Sequence, residues 1–325
     1  MIRILEVTAS PHDGGLAEGD IETTAPGPVI AVATAAELAD QRAAHWLEHA
    51  TLTLSEAESA DRRVVTVDSV DAAIADLERV CGHSPISAAV CDDVLRANAA
   101  HAATRAGLVT ESLAYSTLQA GPEFARWLAE RGPVSIAAES GDAVLLSRVE
   151  DTLELRFNRP HRHNAFDNRT RVALLEALTV ARLDPTVRAI RLSGAGGSFC
   201  SGGDLAEFGG FTDPAHSHLA RTRYSPALAI DAMTRRLGRD CRAQVHGRVL
   251  GSGLEMAAFF GWVRAHPDTA FALPELGLGL IPGAGGTVSV TRRMGRWRTA
   301  FLIMSGRTVT ATTALAWGLV DEIGA

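Results

Sequence analysis

The sequence predicts an α/β fold in which a mainly helical region, residues 1–140, precedes a core of ββα units, residues 141–325. Helical spacing of apolar residues dominates the first region. After about residue 140, pairs of short apolar strands alternate with single helices. The 325 residues, 46% of them hydrophobic, are enough to bury a sizeable core.

The first region is expected to hold two short strands and several helices. The predicted strands are 29–32 and 63–67, and the predicted helices are 35–50, 71–80, 110–118 and 122–130. Ser84-Pro85 predicts a further helix start, since an N-cap residue precedes a proline in the first turn. This helix is expected to run to Ala106 and to stop at Gly107. Residues 1–28 are expected to be irregular.

The second region begins with a predicted strand pair. The predicted strands of this region are 143–149, 152–157, 187–192, 240–245 and 269–272. The predicted helices are 169–183, 254–263 and a last one that closes at 314–318. Residues 211–224 are polar and fit no element; they are expected to form a loop near a site.

The composition excludes several functions. The chain has no lysine, so its 31 basic residues are all arginine, which rules out Schiff-base chemistry, covalent pyridoxal phosphate and a Walker A loop. The net charge of −7 argues against nonspecific nucleic-acid binding. The four cysteines form no CxxC pair or metal-ligand spacing, and no stretch is long and apolar enough for a membrane span. We therefore expect a cytoplasmic protein without a metal site.

Two glutamates stand alone in apolar segments. Glu255 is the only charged residue in 251–263, and Glu275 is the only one in 271–287. Burial should raise the pKa of such carboxyl groups, although a structural pair with an unseen arginine would explain a buried glutamate as well. Gly251-Ser252-Gly253 precedes the first of them, at a predicted helix start whose free amides could hold an oxyanion. Together these features favour proton transfer next to a carbonyl.

Other chemistries lack their motifs. The glycines of residues 277–286 do not have the spacing of a dinucleotide fingerprint, and the glycine turn at 194–197 is a weak signal that a plain turn explains. No GxSxG elbow supports a serine hydrolase.

Residues 143–325 resemble the crotonase superfamily, the enoyl-CoA hydratase/isomerase proteins. The resemblance rests on five segments in the same order: FNRPHRHNA at 157–165, SFCSGGDL at 198–205, GSGLE at 251–255, LPE at 273–275 with its glycine run, and ALAWGLVD at 314–321. It implies a crotonase-like ββα spiral core, assembled as a homo-trimer or a dimer of trimers.

The resemblance also implies roles for individual residues. Glu255 and Glu275 match the two catalytic glutamates of the family's hydratases, and the amides of Ser201 and Ser252 match its oxyanion hole. Expected contacts with the acyl-CoA thioester are Arg162, Asn164, Ala165, Gly202, Gly203 and Asp204. No cofactor is expected beyond the coenzyme A of the substrate, and neither nucleic acid nor membrane is expected as a partner.

The N-terminal region adds an expectation about order along the chain. The family normally continues beyond the point that corresponds to residue 325, with helices that cover the acyl pocket. Residues 84–131 resemble those C-terminal helices, which suggests a circular permutation; an unrelated helical domain is the alternative. If the permutation holds, residues 84–131 should lie near Glu255.

The leading function from sequence is addition of water to the C2=C3 bond of a 2-enoyl-CoA thioester, or the reverse. Double-bond isomerisation, which can run with one glutamate, is the alternative within the enzymes. Decarboxylation, thioester hydrolysis and cofactor-free oxygenation also occur on this fold. A catalytically silent acyl-CoA-binding protein is the alternative from a different class.

Overall fold

The computed structural model describes residues 2–6, 27–40, 43–100, 103–135, 139–210 and 213–324. The strands are β1 (Arg3–Glu6), β2 (Val29–Val32), β3 (Leu52–Ser55), β4 (Val64–Thr66), β5 (Val144–Val149), β6 (Thr152–Phe157), β7 (Ala189–Gly194), β8 (Cys241–Val245), β9 (Arg248–Leu250), β10 (Trp262–Ala265), β11 (Ala270–Ala272), β12 (Val309–Thr310) and β13 (Glu322–Ile323). The helices are α1 (Ala35–Leu38), α2 (Ala43–His49), α3 (Val70–His83), α4 (Pro85–Ala100), α5 (Thr104–Gln119), α6 (Pro122–Arg131), α7 (Asn168–Leu183), α8 (Pro214–Arg223), α9 (Pro226–Leu237), α10 (Ser252–Ala257), α11 (Gly286–Met304) and α12 (Ala311–Ala316).

Two sheets organise the second region. The larger has the strand order β13-β10-β8-β7-β6-β5, in which the β5–β6 hairpin is antiparallel and the other pairs are parallel. The smaller has the order β12-β11-β9. The chain gives one strand to each sheet before it enters a helix, as β8–β9–α10 and β10–β11–α11 show. The predicted ββα core is therefore confirmed.

The first region contains a sheet as well as helices. Strands β1 to β4 lie side by side in chain order and are all parallel. Sequence predicted β2 and β4 but not β3, and the prediction of an irregular segment at 1–28 is wrong for β1. Much of that segment, residues 7–26, lies outside the described residues.

One hydrophobic core joins both regions. The same cluster of buried apolar side chains contains Ile30, Leu77 and Leu95 from the first region and Phe157 and Phe271 from the second. Helix α4 packs along α11, and α5 packs against both of them. Residues 84–131 thus lie on the second region rather than apart from it. None of the described helices is long and apolar enough to cross a membrane.

The structure corrects two helix predictions and one loop prediction. The predicted helix 254–263 ends at Ala257, and Trp262 begins strand β10, since the chain turns at Gly261, where a Cβ would lie 2.0 Å from the carbonyl oxygen of Gly238. Residues 211–224 were expected to be a loop, but α8 occupies most of them. The helix predicted from Ser84 to Ala106 ends at Ala100, and residues 101–102 lie outside the described range.

Gly107 does not stop a helix; it lies inside α5, where a Cβ would meet Val288 Cγ2 at 2.7 Å and Asn98 Oδ1 at 3.1 Å. We predict that Gly107→Ala destabilises the protein, because buried, β-branched Val288 cannot move aside easily. Gly82→Ala is the matched control, since Gly82 lies in α3 with no atom within 4 Å of the added Cβ.

Chemical denaturation should show a loss of about 1–3 kcal/mol for Gly107→Ala, and a gain of up to about 1 kcal/mol for Gly82→Ala from helix propensity. The double variant Gly107→Ala, Val288→Ala should recover part of the loss. Equal gains at both glycines would contradict the close packing of α5 on α11.

Candidate active site

The N-terminus of α11 holds two buried carboxylates on alternating backbone amides. Glu255 Oε2 accepts hydrogen bonds from Ala284 N (2.7 Å) and Gly286 N (2.8 Å). Glu111 accepts from Gly285 N (2.7 Å), Thr287 N (2.9 Å) and Thr287 Oγ1 (2.6 Å). Successive amides of residues 284–287 therefore point in turn to Glu255 and to Glu111. The positive end of the α11 dipole favours negative charge at this place.

Burial opposes that stabilisation. Glu111 and Glu255 are 1% and 2% exposed. Loss of solvation, and next the charge of Glu255, raise the pKa of Glu111 to about 8. Loss of solvation also raises the pKa of Glu255, to about 7, although the amides of the run lower it. Both pKa values are thus shifted upward, in the direction that suits a general acid or base.

Glu275 is the third buried glutamate of the cluster. Its Oε2 has no hydrogen-bond partner among the described residues. A Cβ at Gly251 would lie 2.6 Å from its Oε1, and Gly251 has a φ of 47°, so glycine at the start of α10 is what admits this side chain. Burial, and next the charges of Glu255 and Glu111, raise the pKa of Glu275 well above its usual value.

The backbone segments that contain Ser201 and Ser252, the predicted oxyanion donors, lie next to each other. Cys200 bridges Val249, and a Cβ at Gly253 would meet Cys200 O at 2.6 Å, so the two segments are in contact. Ser252 is the first residue of α10, and its N–H makes no hydrogen bond to the described residues. The N–H of Ser201, in contrast, donates to His163 O at 3.1 Å.

Arg159, which sequence analysis quoted only within a motif, organises the loops below these amides. Its guanidinium is buried and pairs with Asp204 (3.0 Å), Asp167 (3.3 Å) and Glu139 (2.6 Å). The hydrogen bond from Arg159 lowers the pKa of Glu139 to about 2. The cluster fixes the end of β6, the start of α7 and the loop after Ser201. A network of several well-paired charges can have this effect where one exposed pair cannot.

The predicted CoA contacts have different surroundings. Arg162 is half exposed and reaches Asp204 Oδ1 at 3.1 Å. The side-chain amide of Asn164 is buried. Its oxygen accepts a hydrogen bond from Arg159 N, and its nitrogen donates to Ala195 O and Ser198 O, so this side chain stabilises the loop in which it lies. Asp204 is held by two arginines. Ala165, Gly202 and Gly203 form the backbone between them, which Phe166 N ties to Gly202 O.

A cavity of about 200 Å³ opens beside the glutamate cluster. Helices α5 and α8, the start of α7 and the glycine run enclose it. Of the three buried glutamates, Glu111 is the one that lines it. From the sequence, Glu111 is predicted only to lie in a helix. Its pattern carries no signal of function, because α5 has polar residues throughout and the partners of Glu111 are more than 170 residues away.

This geometry, with an amide pair beside buried carboxyl groups in a ββα spiral, is accompanied by a clear relationship to known proteins. The sequence model of the enoyl-CoA hydratase/isomerase family matches residues 149–325, more than half of the chain. The chain therefore belongs to the enoyl-CoA hydratase/isomerase family, and the prediction of a crotonase-type enzyme is confirmed at that level.

Individual enzymes and a solved structure are also similar to this chain. The chain is 32% identical to the 2,3-dehydroadipyl-CoA hydratase of Escherichia coli over 180 residues, 55% of this chain and 68% of that protein. It is 31% identical to the carnitinyl-CoA dehydratase of Salmonella arizonae over 185 residues, 56% of this chain and 68% of that protein. The crystal structure of a Mycobacterium smegmatis enoyl-CoA hydratase has 31% identity and a TM-score of 0.51, covering 56% of this chain and 70% of its own.

We predict that Glu111→Gln changes the pH dependence of stability. The folded-state pKa of Glu111 is raised, so the folded protein binds the proton more tightly than the unfolded chain does, and the contribution of this group to stability falls as pH rises from about 4.5 to about 8. The free energy of unfolding should therefore decline less steeply over that range in Glu111→Gln, by up to about 1.4 kcal/mol per pH unit. Glu130→Gln, at an exposed position of α6, is the control. Parallel stability curves for wild type and Glu111→Gln would contradict the shift.

Proposed function

We propose that this protein adds water across the C2=C3 bond of a 2-enoyl-CoA thioester. The observation that carries the proposal is the burial of Glu255 and Glu275 together, both with raised pKa, beside the start of α10. Hydration needs one group for the water and one for the proton at C2, and both glutamates are present. The reaction requires no cofactor beyond the coenzyme A of the substrate.

In this mechanism the glutamates divide the work. Glu255 takes a proton from water as the oxygen attacks C3, and Glu275 gives a proton to C2. The amides that hold Glu255 fix its orientation, so the carboxylate needs little rearrangement during the reaction. Burial raises the pKa of Glu275, whose Oε2 has no partner among the described residues, so this group suits the role of acid.

The thioester oxygen would lie between the amides of Ser201 and Ser252. These donors would stabilise the negative charge that develops on that oxygen as the enolate forms. Because Ser201 N donates to His163 O, the thioester must replace that carbonyl. Arg162, half exposed, is the candidate for contact with the CoA phosphates, and Ala165, Gly202, Gly203 and Asp204 would line the path of the thioester. By family resemblance we also expect a cytoplasmic homo-trimer or dimer of trimers.

We further propose that residues 84–131 have the place of the family's C-terminal helices. Helix α5 brings Glu111 to the N-terminus of α11 and lines the cavity, which supports this assignment. The acyl pocket is then completed by a segment that precedes the core in the chain, as in a circular permutation.

The variants Glu255→Gln and Glu275→Gln test the hydration mechanism. Each should lower kcat for 2-enoyl-CoA thioesters by roughly 10²–10⁴-fold, as expected for loss of a general acid or base. Loss of the absorbance of the conjugated enoyl group measures turnover. Glu123→Gln is the matched control: Glu123 is also buried, but it holds Ile86 N and Ser87 N at the start of α4. It should lose stability and keep turnover.

Alternative reactions give different outcomes in the same assay. An isomerase would move the double bond of a 3-enoyl-CoA and would retain much of its rate in one of the two glutamine variants. A silent binder would bind the thioesters without turnover in wild type. Either result would contradict hydration.

A divided chain tests the role of the N-terminal region. We predict that residues 139–325 expressed alone are insoluble or inactive, because α4 and α5 no longer cover the apolar face of α11. Co-expression with residues 1–135 should restore a soluble, active complex, which co-purification and turnover would measure. Full turnover by residues 139–325 alone would show that residues 84–131 are not part of the pocket.

A further inference from the structure

Arg221, on α8, lies in the wall of the cavity and has no ion-pair partner among the described residues. Its guanidinium carbon lies 4.2 Å above the centre of the Tyr115 ring. Nη2 donates to Ser116 Oγ (2.5 Å) and Gln119 Oε1 (3.1 Å), and Nε donates to Ser112 Oγ (3.4 Å). No described group accepts a hydrogen bond from Nη1. Neutral neighbours thus hold the Arg221 side chain, and its Nη1 remains without an acceptor among the described residues.

The acidic residues of the same wall are occupied elsewhere. Asp204 and Asp167 pair with Arg159, Glu207 accepts from Asn168 N at the start of α7, and Glu111 accepts from the α11 amides. Arg159 and Arg162 offset part of the charge of the two aspartates. A half-buried cation without a counter-ion is unfavourable in a protein. Arg221 is therefore placed to bind an anion that enters the cavity.

A second arginine lines the cavity without an ion pair. Arg171, on α7, has a buried Nε with no hydrogen-bond partner among the described residues. A buried donor without a partner is unfavourable, so this N–H favours binding of an acceptor. Two guanidinium groups at one cavity, one held ready by Tyr115 and one with an orphaned N–H, fit an anionic ligand with planar oxygens.

The location of Arg221 indicates which end of a substrate this anion belongs to. Arg221 stacks on Tyr115, and the Tyr115 ring abuts Gly283, where a Cβ would lie 2.4 Å from the ring. Gly283 begins the run whose amides hold Glu255 and Glu111. Arg221 thus lies close to the backbone that holds these two glutamates.

We propose that the acyl group of the substrate carries a carboxylate at its end remote from the thioester, and that Arg221 binds this carboxylate with help from Arg171. The inference rests on the proposed use of a CoA thioester at this site. It assigns Arg221 to substrate specificity and gives it no part in the chemistry of C2 and C3.

The test compares two thioesters of equal chain length, a 2-enoyl-CoA with a terminal methyl group and one with a terminal carboxylate. Wild type should prefer the carboxylate by at least tenfold in kcat/KM. In Arg221→Gln that preference should fall by about 10–150-fold, mainly through KM, because a hydrogen bond to a charged group contributes about 1.5–3 kcal/mol. Arg221→Lys should retain part of it. Arg223→Gln, at an exposed position of the same helix, should keep the wild-type ratio.

Inhibition by free CoA separates the two sources of an anion. If Arg221→Gln weakened free CoA and both thioesters equally, Arg221 would bind a CoA phosphate and the proposal would be wrong. A wild-type preference for the methyl-ended thioester would also overturn it, even if the Arg221 variants did not fold.

Failure of the proposed reaction would be distinguishable from failure of the specificity site. If wild type turned over neither thioester, calorimetry with the two saturated thioesters would still measure binding. If wild type bound the carboxylated thioester more tightly and Arg221→Gln lost this difference, the specificity site would be supported. Only the proposal of hydration would then be rejected. Equal binding of both would reject the specificity site.

Discussion

The site depends on one constraint: successive backbone amides at the N-terminus of α11 donate in turn to Glu255 and to Glu111. Ala284 and Gly286 face Glu255, and Gly285 and Thr287 face Glu111. An isolated carboxylate in a core would be strongly destabilising, and hydrogen bonds from amides together with the helix dipole make its burial tolerable. At positions 285 and 286 the chain can pass through this space only without a side chain. A Cβ at Gly286 would lie 2.7 Å from Glu255 Cγ, and one at Gly285 would lie 2.4 Å from the Phe259 ring.

This constraint also binds the two regions of the chain to each other. Glu255 belongs to the ββα core, whereas Glu111 comes from α5 in the first region. Without α5, the amides of Gly285 and Thr287 would lose their acceptor and the cavity would lose a wall. Gly107 allows the close approach of α5 to Val288 one turn further along α11. The first region is therefore part of the site, and its helices are not an appendage of the core.

Some of this could be predicted from sequence because the signals are local. The β5–β6 hairpin has two apolar strands next to each other, and Glu255 and Glu275 stand out as lone charges in apolar segments. The sequence did not predict helix α11, because arginines and Gly295 (φ 85°) interrupt its pattern. Two of these arginines, Arg296 and Arg298, are buried, and Arg296 donates to the distant Ala50 O. Those contacts join residues that are far apart in the sequence, so the periodicity of apolar residues cannot predict them.

The role of Glu111 was hidden for the same reason. Its acceptor function exists only after α5 has docked, and the helix containing it is polar on several faces. The two glutamates that sequence did single out are the ones on the core, where family motifs also lie. Structure thus adds a third carboxylate to a site that sequence had assigned two, together with the arginines that line its cavity.

Three carboxyl groups in one buried space constrain how the site is charged. The charge of Glu255 raises the pKa of Glu111 and Glu275, and the charge of Glu111 raises that of Glu275, so ionisation of all three groups together is unfavourable. Protons retained on the cluster reduce its negative potential toward the cavity. The anionic acyl terminus that we propose could then approach Arg221 without strong repulsion from the three glutamates. The same burial that makes the glutamates suitable for proton transfer at neutral pH therefore makes the neighbouring cavity compatible with a negatively charged substrate.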